Sequence, residues 1–121
     1  MEDRLKRRIG EFASELAREQ QQRLQAAGKF VDLELLTAEI GDQVARELSN
    51  IELSRRSQEA AREPVHACPD CGRECPVDEE LEPIILQGMR GEIEYQEPRC
   101  FCSRCRRAFF PSGRNIGASP A

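Results

Sequence analysis

Two cysteine pairs of equal spacing, Cys68-Pro69-Asp70-Cys71 and Cys102-Ser103-Arg104-Cys105, constrain this chain more than any other feature. In each pair the thiols stand two residues apart, so one tight turn aims both sulfurs at a single point. Two such turns face to face make a closed site of four thiolates, which suits Zn2+ in a structural role and leaves no open position for chemistry. Cys68, Cys71, Cys102 and Cys105 are therefore the expected metal ligands. Thirty residues separate Cys71 from Cys102, enough for a β-hairpin that carries one turn to the other.

A metal is also what the composition asks for. Leu, Ile, Val and Phe make up only about a fifth of the 121 residues, near the level at which chains read as disordered. Charged residues account for 33%, with one Tyr and no Trp. A large single core is excluded, and helix pairing, a metal or a partner must supply stability. No stretch approaches the roughly 18 apolar residues of a membrane span, and the first residues lack the apolar run of a signal peptide. A cytoplasmic setting follows, where six reduced cysteines favour metal over disulfides.

The fold class expected is α+β: a helical hairpin or coiled-coil region over 1–63, a zinc-ribbon-like unit over 64–111, and a tail or linker over 112–121. Leu5, Ile9, Phe12 and Leu16 recur at steps of 4, 3 and 4, one helical stripe that Leu24 extends. Gly28 fits a left-handed helix stop and Asp32 an N-cap. Leu33, Leu36, Ile40, Val44, Leu48 and Ile51 then mark a second helix. The two helices suit an antiparallel hairpin or a homo-oligomer. Glu63-Pro64 ends the helical region. Beyond it, Ile84–Gln87 and Glu92–Gln96 read as strands around a Gly88–Gly91 turn, and Ala108–Phe110 as a third strand.

Other candidate groups read as ordinary. Cys75 and Cys100 are taken as buried, spare thiols. His66 is taken as an exposed linker residue, and Asp78, Glu79, Glu80 and Glu82 as a solvated loop. No Ser-His-Asp set is expected, since the one histidine reads as a linker residue, and no glycine-rich phosphate loop is present. The formal charge of −4 does not announce a nucleic-acid binder, yet from Pro98 onward there are five arginines and no acid.

The segment Gly91-Glu92-Ile93-Glu94-Tyr95 and the phrase from Arg99 through Cys102-Ser103-Arg104-Cys105-Arg106-Arg107-Ala108-Phe109-Phe110-Pro111 resemble a known family. They are similar to the N-terminal zinc-bearing region of bacterial DDE-type insertion-sequence transposases, over residues 68–111. Cys100 departs from that pattern, where an aromatic residue is common. The resemblance implies a DNA-associated module that is not an enzyme by itself, the catalytic domain being absent from a truncated or split frame. It also implies phosphate contacts by Arg104, Arg106 and Arg107. A different resemblance, of a helical hairpin joined to a four-cysteine zinc unit, is to regulators of RNA polymerase and implies a protein partner. A redox protein using Cys75 and Cys100 is a third reading.

Overall fold

The computed structural model describes residues 1–112, and the expected tail lies outside them but for Ser112. The chain is mixed α+β, three helices followed by a four-stranded antiparallel sheet. It divides into two compact units, Met1–Gly41 and the residues from Asp42 onward. No helix of the described residues is long and apolar enough to cross a membrane.

In the first unit, α1 spans Asp3–Glu19 and α2 spans Gln21–Ala26. The single helix expected to run on to Leu24 is interrupted at Gln20, whose φ of −105° and ψ of 20° leave helical geometry. Asp3 in the first turn and Arg18 in the last complement the α1 dipole. The stripe lies on one face of α1, but that helix buries no residue. Leu5, Ile9 and Phe12 stay 46–47% exposed. Gly28 is not left-handed. The turn instead closes through Ala27 N–H donating to the Leu24 carbonyl at 3.3 Å. Helix α3, Phe30–Arg62, begins before Asp32, which sits in its first turn as a favourable negative charge rather than as the cap.

In the second unit, strands β1 (Val65–Ala67), β2 (Glu74–Gly88), β3 (Gly91–Cys102) and β4 (Arg107–Phe109) form a meander in that order. The long β2–β3 hairpin pairs Ile84 with Tyr95 and Gly88 with Gly91, closing through Met89-Arg90. Gly91 has φ of +120°, a conformation that side chains resist. Both long strands extend well beyond the segments expected from alternation. The acidic stretch is accordingly not a loop. Asp78 to Glu82 belong to β2, where two extra residues bulge between the pairs Val77–Cys100 and Leu81–Pro98. Arg99 answers that bulge, with Nη1 at 3.6 Å from Asp78 and 3.9 Å from Glu82.

The part of α3 within this unit is tied to the sheet by polar side chains. Asn50 donates to the Glu94 carbonyl at 2.7 Å, Arg46 donates to the Arg90 carbonyl, and Asp42 pairs with Arg90 at 3.5 Å. Leu48 and Ile51, expected on a helix-pairing stripe, are 64% and 65% exposed. The cause is the acceptor set: exposed strand carbonyls call for donors, which apolar side chains lack.

Candidate metal centre

Each cysteine pair sits at the tip of a short hairpin. Strands β1 and β2 pair from Val65–Pro76 to Ala67–Glu74 and hold Cys68 to Arg73 between them. Strands β3 and β4 pair from Cys100–Phe109 to Cys102–Arg107 and hold Ser103 to Arg106 between them. Because β2 also pairs with β3, the two tips emerge on the same sheet and converge.

The turns share a design. In the first, Gly72 N–H donates to the Cys68 carbonyl at 2.9 Å and Cys68 N–H to the Arg73 carbonyl at 2.8 Å. Gly72, directly after the second cysteine, has φ of +75°. In the second turn the corresponding residue, Arg106, has φ of +56°, the one non-glycine residue with positive φ among those described. Cys105 N–H lies 3.4 Å from the Cys102 sulfur, the backbone support a thiolate needs.

The sulfurs of Cys68, Cys71, Cys102 and Cys105 all lie within 4.8 Å of one another. Across the turns, Cys68 and Cys105 are 3.9 Å apart and Cys71 and Cys102 are 3.6 Å apart. A tetrahedron with Zn–S bonds of about 2.3 Å has edges of about 3.8 Å, so these separations fit a four-thiolate ion site. Cys68 and Cys102 are buried and the other two half-buried. The four sequence-expected ligands are thus brought together as one group that could hold a metal ion.

The electrostatics show how the thiols would compete without an ion. Cys102 is drawn down to about 6, first by the Cys105 N–H and then by its neighbours against the opposing effect of burial. Cys105 is pushed up to about 12 by Cys71 and by burial. One thiolate is therefore favoured at the expense of another, a conflict that a dication removes.

Cys75 and Cys100, at 2% and 0% exposure, pack with Phe109, Val77 and the four clustered cysteines. Cys75 donates to the Arg73 carbonyl at 3.3 Å. Burial raises both thiols, Cys100 to about 11, with Cys75 and Asp78 adding to it. They are buried thiols, as read from the sequence, and they form much of the core. His66 is not an exposed linker residue. It lies on β1 with its side chain 16% exposed and its Nε2 donating to the Ala60 carbonyl at 2.8 Å. That carbonyl only accepts, so Nε2 carries a proton and is engaged there, and His66 is not part of the four-sulfur group.

Arg104, Arg106 and Arg107 are all exposed around the second turn. Arg107 approaches Asp70 of the first turn at 3.9 Å, while Arg104 and Arg106 have no acidic partner among the described residues. A buried carboxylate escaped the sequence reading. Glu97 is 2% exposed and accepts from Ser112 at 2.9 Å and from the Tyr95 hydroxyl. Only its place in the alternation of β3, two residues from Tyr95, hinted at burial.

No family model, curated protein or solved structure matches this chain.

Proposed function

We propose that the protein is a zinc-held, DNA-associated module, with Cys68, Cys71, Cys102 and Cys105 as ligands of a structural Zn2+. The observation that carries the reading is the convergence of four sulfurs from two hairpin tips at zinc-like separations. When bound, the ion supplies cross-linking energy on the order of 10 kcal/mol to a unit whose hydrophobic cluster consists of cysteines and Phe109. On this reading residues 64–111 act as a zinc-ribbon-like unit and have no catalytic role of their own.

The DNA assignment rests on the exposed arginines of the second turn and on the resemblance of residues 68–111 to transposase N-terminal regions. Among the described residues, two of the three arginines have no acidic partner and the third meets only an exposed Asp70, an ion pair of little worth. Arg106 keeps a positive φ at the position where the first turn uses glycine. Retaining a long cationic side chain there is favourable for a surface that meets phosphates.

A gel-shift titration of the zinc-loaded protein with duplex DNA tests the assignment. Binding at low salt is expected, with a log–log salt slope of about −2.7 for three phosphate contacts. Replacing Arg104, Arg106 and Arg107 together by Gln is expected to abolish it. Zinc-loaded protein that leaves the duplex unshifted at low salt would overturn the DNA assignment and leave the metal assignment standing.

A further inference from the structure

The geometry points to self-association through α1: two copies pair antiparallel along Leu5, Ile9, Phe12 and Leu16. This goes beyond the metal and DNA reading and does not depend on it. The 17 residues of α1 make a helix about 25 Å long, a length that is marginal in water unless its apolar face is covered. No residue of α1 is buried, and three of the four stripe residues are nearly half exposed. A strict stripe at steps of 4, 3 and 4 is the narrow seam of a two-helix pairing rather than a broad core face.

The charges beside the stripe select both the partner and the direction. Arg8 and Glu15 each stand one residue before a stripe residue, so they line one edge of the seam. Lys6 and Ala13 each stand one residue after a stripe residue and line the other edge. In an antiparallel pair related by a two-fold axis, like edges meet. Setting Ile9 opposite Phe12 of the second copy, and Leu5 opposite its Leu16, brings Arg8 against Glu15 of that copy. The symmetry repeats the contact, giving two ion pairs, and Lys6 meets only Ala13. In a parallel pair unlike edges meet, and Arg8 then faces Ala13 with no opposite charge. Glu2 and Glu19 continue the stripe at its two ends; this register sets Glu2 against Glu19 of the second copy, and a parallel pair sets each against itself, so these like charges limit the seam to four residues without selecting a direction. The flanking charges are therefore self-complementary in one orientation only.

Sedimentation equilibrium of the full zinc-loaded chain, with charge variants on the exposed edge, tests this. The wild type is expected to dimerise reversibly. Arg8→Glu and Glu15→Arg each turn two attractions into two repulsions, and each is expected to weaken the dimer by about ten-fold. Mixing these two variants restores both ion pairs in a heterodimer, as does combining the substitutions in one chain. Dimer strength returning toward wild type in the mixture supports the antiparallel pairing. A chain that stays monomeric to about millimolar concentration overturns it, as does a dimer indifferent to the two substitutions, a mixture that shows no recovery, or a trimer.

Discussion

Gly72 and Arg106 occupy the same place after their cysteine pairs and share a left-handed backbone, yet only one is glycine. A Cβ built on Gly72 meets nothing within 4 Å, so the cost of a side chain there is conformational and not steric. Gly72→Ala is expected to destabilise the folded unit by about 1 kcal/mol, read from denaturant midpoints at fixed zinc. Arg106→Gly relieves that same strain and is expected to leave stability equal or higher while weakening the DNA shift. The cysteines divide in a comparable way. Cys71→Ser is expected to lose metal, whereas Cys100→Ala keeps one ion per chain and loses about 1 kcal/mol of packing, as metal analysis and thermal melts will show. The grouping of four sulfurs, with Cys75 and Cys100 outside it, was legible in the spacing alone, because a turn of fixed size leaves little freedom to its sulfurs. His66 was not legible, since its partner is a backbone carbonyl six residues earlier that no side-chain pattern announces.

Among the elements, the second half of α3 departs most from its apolar pattern. Periodicity placed Leu48 and Ile51 on a helix-pairing stripe, whereas Arg46 and Asn50 reach the sheet because its contact surface here consists of strand carbonyls. The hairpin tip depends on that contact. A Cβ on Gly91 would stand 2.8 Å from the Arg46 guanidinium, besides straining a φ of +120°. Gly91→Ala is accordingly expected to cost about 1–2 kcal/mol and to expose the Arg90 amide region to faster hydrogen exchange. The strands were legible at Ile84–Gln87 and Glu92–Gln96, where polar and apolar residues sort by face. The acidic part of β2 was not, because a bulged segment exposed on both sides carries no alternation. Farther along α3, Arg55 and then Arg56 hold the Glu52 carboxyl down at about 2. Since the folded form binds that proton more weakly than the unfolded chain, the pairing contributes above the ordinary carboxylate range and is lost as pH falls from about 4.5 toward 2. The three side chains keep 39–53% of their surface in solvent, so the expected acid loss of helicity by circular dichroism is small, and smaller in Glu52→Gln.

At the scale of the whole molecule, the unit from Asp42 onward has a core drawn mainly from cysteines, with Phe109, Ile84 and Tyr95 as the large buried additions. Such a core provides little apolar area for a β meander of this length, and a bound ion would supply the folding energy it lacks. Mixed α+β architecture was legible from the change of period near Pro64. The uncovered face of α1 was not, since a stripe states that a helix has a partner face without stating where the partner is. The most direct test of the central claim is the metal content of protein purified without chelator, followed by circular dichroism as a tight chelator is added. One zinc per chain, with β-structure lost as the ion is withdrawn and regained on its return, is the result expected. Protein that contains no metal, keeps its sheet in chelator and offers all six cysteines to a thiol reagent would contradict it.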